Sequence, residues 1–366
     1  MRTLQLRFFA HSWRSDWNHG NAHFLRGLAD ELRKSGHGVR CYEPANAWSF
    51  VNLMQEDLAT RSLQQFQQTF SDLDVRIFTT ENLDFLNEEL KGVDVVVVHE
   101  WNSPELVQRI LGLRQQCGFR VLFHDTHHRS YTAPQQIARF PIREFDGVLA
   151  FGEAIRRIYL EAFAARRAWT FHEAADTARF FRHEAGCGEE VNWIGNWGDD
   201  ERTRELQEFL IEPLAALRPE AAVYGVRYPE AARRQLQAAG IEYRGYLPNL
   251  SAPSVYSRCA LTLHIPRRCY ANGLSGIPTI RMFEALACGV PLVCSPWNDL
   301  EGLFRANEDY ITVADGKEME AEIARLLRDT DARQQLSQNA LDTIRQQHTC
   351  WHRARQFEEI CEELGR

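Results

Sequence analysis

Residues 276–293 read Gly-Ile-Pro-Thr-Ile-Arg-Met-Phe-Glu-Ala-Leu-Ala-Cys-Gly-Val-Pro-Leu-Val. Pro278 suits the first turn of a helix, where a missing N–H costs nothing. Ile280, Phe283 and Ala287 recur on one face, Gly289 ends the helix, and residues 290–294 read as a short buried strand. A helix that closes on glycine and feeds a short apolar strand is one unit of a parallel sheet covered by helices. The same alternation extends in both directions. Residues 191–197, 221–226, 241–246, 260–265 and 310–314 are further strands of one series. An earlier series runs through residues 4–10, 39–42, 75–79, 93–98, 120–123 and 147–151. Val93-Asp94-Val95-Val96-Val97-Val98 is a strand buried on both faces. Between the first two strands, Gly20 opens a helix with Phe24, Leu25, Leu28 and Leu32 on one face, closed by Gly36. The expected architecture is α/β, with two Rossmann-like, doubly wound domains. Residues 1–170 form the first, 171–190 a linker and 191–349 the second. A final helix at 350–366, with Trp351, Ala354, Phe357, Ile360 and Leu364 on one stripe, is expected to return to the first.

Composition narrows the class. The 366 residues are 44% hydrophobic and 25% charged, enough for two cores and too apolar for a disordered chain. No apolar run reaches membrane-spanning length, and the N-terminus leads straight into a strand without a signal-peptide core. Nine scattered cysteines without a CxxC pair fit reduced thiols, so a cytoplasmic location is expected. A net charge of −8 argues against a nucleic-acid partner. The oligomeric state is not legible.

Paired sheets of this kind bind ligands at the carboxyl ends of their strands, so facing strand ends are expected to line a cleft. The helix that follows Thr279 offers free amides and a partial positive charge suited to a diphosphate at Thr279 and Ile280. Arg281 can pair with phosphate, and Glu284, three residues on, can accept hydrogen bonds from ribose hydroxyls. The plain alternative is an i,i+3 ion pair on a solvated helix.

FEALACGVPLV, residues 283–293, resembles the EAxACGxPVV signature of the retaining nucleotide-sugar glycosyltransferases of family 4, which have the GT-B architecture. The longer run PRRCYANGLSGIPTIRMFEALACG, followed by SPWNDLEGLF, resembles more closely a spore-maturation glycosyltransferase-like branch, with Arg281, Phe283, Glu284, Trp297, Leu300 and Glu301 in register. The resemblance implies sugar transfer from a UDP- or GDP-sugar to an unidentified acceptor, with retention. It puts Glu284 on the donor ribose. EAADTARFFR, with Asp176, Thr177 and Phe180, is similar to the family's interdomain element. The strand ending at Gly195 is similar to the start of the family's second domain, and Glu201-Arg202 stands where the family has a lysine, making Arg202 a diphosphate contact. YGVRYP and YRGYLPN resemble the segments around the nucleobase and bring in Arg227 and Tyr246. Arg267 and Arg268 are further phosphate candidates, with surface solvation as their alternative. The chain departs from the pattern at Gly276, where the first glutamate of the E-x7-E motif would fall. That leaves the family's donor-sugar contact missing or supplied differently.

In the loop HSWRSDWNHGN, residues 11–21, Gly20 allows close approach of an anion, while Asp16, Asn18 and His19 are polar enough to touch an acceptor. His124-Asp125-Thr126-His127-His128 follows a strand. Metal binding, simple packing and substrate contact are all open to such a cluster. Substrate contact is favoured, with His127 matching the family's sugar-contacting histidine best and His124 next. His99 and Glu100 close the preceding strand and line the acceptor side. In such a transfer the departing diphosphate takes the acceptor's proton, and fixed positive groups replace a metal; no metal or other cofactor is expected, the nucleotide sugar being a substrate. Three alternatives remain. An inverting transferase would use Asp16, His19 or Glu100 as base. A nucleotide-sugar epimerase would need no acceptor. A catalytically idle binding protein would fit Gly276.

Overall fold

A computed structural model describes residues 2–183, 188–198 and 202–365. Thirteen strands are present among these residues: β1 (Gln5–Phe9), β2 (Gly38–Pro44), β3 (Asp74–Phe78), β4 (Val95–His99), β5 (Arg120–Asp125), β6 (Gly147–Ala150), β7 (Ala168–Thr170), β8 (Val191–Ile194), β9 (Ala221–Tyr224), β10 (Glu242–Tyr243), β11 (Leu261–His264), β12 (Leu292–Cys294) and β13 (Ile311–Thr312). They form a seven-stranded sheet, ordered β3-β2-β1-β4-β5-β6-β7, and a six-stranded sheet, ordered β10-β9-β8-β11-β12-β13. Every pairing is parallel. The chain divides into two compact units. One is Met1–Glu173 with Cys350–Arg366, and the other is Ala174–Thr349.

In the first unit, β4 is buried along its whole length, as a run of valines between two layers of helices must be. The helix after β1 spans Ala22–Lys34 and starts two residues beyond Gly20. Its cap residue Asn21 makes no capping bond and instead donates Nδ2 to the Thr126 carbonyl at 3.0 Å. The final helix, Cys350–Gly365, packs on Ala22–Lys34. Phe357 meets Phe8 with ring centroids 5.8 Å apart, and His37 Nε2 lies 3.0 Å from the Glu358 carboxylate. Ala354, Phe357, Ile360 and Leu364 are buried, but Trp351 is 53% exposed and does not belong to the stripe assigned to it. Successive steps of three residues precess around a helix of 3.6 residues per turn, and by Trp351 they have carried the side chain off the packed face.

The second unit closes around Val191, Trp193, Leu263, Val293 and the apolar sides of its helices. The helix at the heart of the opening motif spans Ile280–Ala287, and Gly289 follows at φ +63°. Every residue of it but Arg281 is buried, Met282, Glu284 and Leu286 included, rather than one face only.

Candidate functional site

In the second sheet the strand order reverses at β8, which pairs with β9 on one side and β11 on the other. Such a reversal opens a crevice at the carboxyl ends, because the connections on its two sides lead away in opposite directions. Three glycines let the backbones close up there. A side chain on Gly225, at φ +154°, would place its Cβ 2.1 Å from the Gly195 carbonyl oxygen, and Gly225 donates its N–H to the Gly245 carbonyl at 2.8 Å. Gly195 is itself pinned under the Trp193 ring, 2.5 Å from where its Cβ would be. Asn196 Oδ1 accepts the Val226 N–H at 2.8 Å, and Tyr228 donates its hydroxyl to the Gly195 carbonyl at 2.8 Å.

Arg202 spans this switch point. Its guanidinium donates to the Ile265 carbonyl at 2.8 Å and the Asn196 carbonyl at 2.5 Å, joining the ends of β8 and β11. Glu201 lies outside the described residues. Of the other residues singled out here, Tyr246 is buried, whereas Arg227 is exposed at φ +62°. Arg268 is engaged in a two-pronged pair with Glu205 at 2.8 and 3.1 Å, and borders a hollow of about 600 Å³ with Asn272, Ser295 and Pro296.

His264, at the end of β11, reaches Thr279 Oγ1 with Nε2 at 2.9 Å and Cys294 Sγ with Nδ1 at 3.1 Å. Burial lowers its pKa to about 3, so the ring is neutral. Thr279, held by His264, makes no side-chain cap to the helix Ile280–Ala287. That helix therefore presents its first amides without a side-chain acceptor, the arrangement that favours an anion.

Glu284 is fully buried. Its Oε1 accepts from Asn249 Nδ2 at 2.6 Å, and its Oε2 pairs with Arg281. The ion pair is real, but it does not lie on a solvated helix face. A carboxylate retains acceptor capacity after two such bonds. Asn249 and His264 were passed over in the sequence, although each ends a quoted strand or turn; a buried polar residue just after a strand was the available signal.

In the first sheet the reversal falls at β1, between β2 and β4. The loop of residues 11–21 is anchored by Glu43 at the end of β2. This fully buried carboxylate accepts the N–H groups of Trp13 and Arg14, the latter at 2.9 Å, and the Arg14 side chain at 2.8 Å. Asp16 is paired with buried Arg26 at 3.1 Å. That internal pair, rather than an open position, is where the structure places it. Gly20 accepts the His23 N–H at 3.2 Å as the helix begins.

Anchored in this way, the loop delivers His11 and His19 to the ends of β4 and β5. Ring centroids of His11 and His19 are 3.9 Å apart, those of His11 and His99 6.0 Å, and those of His99 and His124 5.5 Å. Among the described residues, His11 Nδ1, His19 Nε2 and His124 Nε2 are buried without a hydrogen-bond partner. Burial holds these rings neutral: it brings His11 and His124 down to about 3 and puts His19 and His99 well below their ordinary value. His127 is half-buried beside Trp101, at a 5.2 Å centroid separation, and its N–H donates to Asp125 at 2.9 Å. Arg129 stacks 3.7 Å over Trp101 and pairs with the buried Glu100 at 3.0 Å. Burial raises Glu100 well above its usual range and Asp125 to about 6, although Tyr159 donates to Asp125 at 2.6 Å. Among the described residues, no group of three or more His, Cys, Asp or Glu side chains is arranged to hold a metal ion. His11 was missed because it opens the loop of residues 11–21, where nothing in the sequence sets it apart from the other polar residues.

Residues 202–359 match the family model described as Glycosyl transferase-like. No curated protein sequence matches the chain. Among solved structures, HepE of Anabaena in complex with UDP and glucose aligns over 98% of this chain and 99% of its own, at 14% identity and a TM-score of 0.71. Sucrose-phosphate synthase from Thermosynechococcus elongatus aligns over 99% of both chains at 15% identity and a TM-score of 0.67. An alpha-glucosyltransferase in complex with UDP and a 13-mer DNA covers 99% of this chain and 100% of its own, at 12% identity and a TM-score of 0.71. The chain thus has the GT-B fold, and its residues 202–359 are similar to the family described as glycosyl transferase-like.

Proposed function

We propose that the protein transfers a sugar from a nucleoside-diphosphate sugar, with UDP as the favoured nucleotide, to an acceptor hydroxyl with retention of configuration. The observation that carries this reading is the arrangement at the carboxyl ends of the second sheet. There Arg202 bridges β8 and β11, and Thr279 leaves the helix Ile280–Ala287 without a side-chain cap. The glycosyl transferase-like match covers these residues, and structural neighbours of the same fold are complexes with UDP, glucose or UDP-glucose. In this reading the helix amides and the Arg202 and Arg281 guanidiniums stabilise charge on the departing diphosphate. Glu284 holds the ribose. Arg227 and Tyr246 border the base, and Arg268 is released from Glu205 when the donor's phosphates arrive.

In the first unit, His127 and His124 orient sugar hydroxyls. The neutral His124 ring suits hydrogen bonding more than charge. No metal is assigned to the reaction, since guanidinium groups and helix amides supply the positive charge. The eight described cysteines are all free, which supports a reducing, cytoplasmic setting. No described helix is long and apolar enough to cross a membrane.

One observation favours an inverting reaction instead. His19 Nε2 has no hydrogen-bond partner among the described residues and can accept a proton, whereas Asp16 and Glu100 are tied to arginines. The anomeric configuration of the first product formed from UDP-glucose decides between the two. An α-linked product supports retention, and a β-linked product overturns it in favour of His19.

A further inference from the structure

We propose that Glu301 is the carboxylate that grips the donor's sugar, and that Gly276 is glycine because Glu301 occupies its side-chain space. This inference rests on the nucleotide-sugar reading and assigns the sugar subsite within it. Gly276 has φ +96°, and a Cβ built on it would lie 2.9 Å from Glu301 Cγ, 3.3 Å from its backbone N and 3.4 Å from Oε1. A side chain at 276 and the Glu301 side chain therefore exclude one another.

The segment carrying Glu301 is held in place independently of Gly276. Asp299 accepts the Phe304 N–H at 2.7 Å, and its carboxylate also faces the amides of Glu301, Gly302 and Leu303. Gly302 turns the chain at φ +65°. The Leu303 carbonyl lies 2.8 Å from His348 Nε2. The Phe304 ring packs against Phe283 of the helix Ile280–Ala287, at 5.4 Å, and against His348 at 4.9 Å. Glu301 is thus fixed against the segment that leads into the helix Ile280–Ala287, and it is half-buried there.

The order of groups along that segment sets the chemistry. Glu284 lies one turn inside the helix, the uncapped amides lie at its start, and Gly276 lies four residues before it. A donor with its ribose at Glu284 and its diphosphate on the amides carries its sugar over residues 276–279. A carboxylate next to phosphate would repel it, but next to a neutral sugar it accepts hydrogen bonds from hydroxyls. Glu301 therefore belongs to the sugar and reads which hydroxyls it presents.

The test compares wild type with Glu301→Gln and Gly276→Ala, by calorimetric titration with UDP and by UDP release from UDP-glucose. Glu301→Gln keeps the side-chain volume. It is expected to bind UDP within about twofold of wild type while kcat/KM for UDP-glucose falls roughly 10- to 100-fold, the effect of weakening a charged hydrogen bond. Gly276→Ala, which pushes on Glu301, is expected to lose turnover in the same direction with UDP affinity kept. Wild-type kcat/KM in Glu301→Gln overturns the assignment, and so does an equal loss of UDP and UDP-glucose affinity. A wild-type protein that binds neither UDP nor GDP refutes the nucleotide-sugar reading itself, and this proposal with it.

Discussion

Replacing Glu284 with alanine should unravel two things at once, and the geometry says how much of each. The carboxylate is fully buried and takes Asn249 on one oxygen and Arg281 on the other. Its removal leaves a buried amide and a mostly buried guanidinium without their acceptor; the Arg281 side chain is 29% exposed and recovers only part of its hydration. Breaking such a pair from one side costs about 3–5 kcal/mol. For a unit of roughly 150–250 residues this corresponds to a fall in melting temperature of about 6–20 °C. Glu284→Gln preserves volume and one hydrogen bond, so it should cost far less and serve as the clean probe of nucleotide binding. Calorimetry on that variant should show UDP affinity weakened by about 1–3 kcal/mol. Differential scanning calorimetry supplies the stability arm. A melting temperature for Glu284→Ala within about 2 °C of wild type would refute the hub reading, since the pair loss alone predicts more. Unchanged UDP affinity in Glu284→Gln would refute the ribose contact.

His127→Ala is expected to slow turnover far more than it weakens UDP binding, because its role is on the sugar; steady-state kinetics of His127→Ala and His124→Ala, both checked for folding, identify the wrong histidine if only the latter is inactive. Gly225→Ala should destabilise the second unit by about 1–3 kcal/mol, since its Cβ would overlap the Gly195 carbonyl; a thermal melt unchanged from wild type would contradict the packing described. Acid should destabilise the fold from about pH 6.5 downwards. His11, His19, His99, His124 and His264 all have lowered pKa values in the folded state, so the unfolded chain takes up their protons first. Each costs about 1.4 kcal/mol per pH unit below 6.5. Asp125 and Glu100, raised in the folded state, work the other way and return stability as pH falls through about 6 for Asp125. The histidines outnumber them, and melts between pH 7 and 5 should show a falling midpoint; a midpoint that is flat or rises towards pH 5 would count against neutral, buried rings.

The strands were legible because parallel sheets covered on both faces leave unbroken apolar runs, as in Val95 to Val98, and because glycines such as Gly36 and Gly289 punctuate the helices. The precession of the final helix was not, since Trp351 looks equivalent to Ala354 until 3.6 residues per turn are followed through the whole stripe. Local chemistry was readable where it is contiguous, as with Arg281 and Glu284. The burial of Glu284 was not, because a polar residue on a helix packed nearly all round by its own unit is indistinguishable in sequence from a solvated one. Groups that meet only in space were invisible. Asn249 is 35 residues from Glu284, and His11 is 88 residues from His99. At Gly276 the sequence leaves the contact missing or supplied differently, and only the fold brings Glu301 against the place its Cβ would take.

The central claim is that the second unit binds a nucleoside-diphosphate sugar through its diphosphate. The most direct measurement is calorimetric titration of the wild type and of Arg202→Ala with UDP and with uridine. The account predicts one UDP site per wild-type chain, markedly weaker binding of uridine, and a loss of most of that difference in Arg202→Ala. UDP binding no tighter than uridine in the wild type, or a difference untouched by Arg202→Ala, would contradict it.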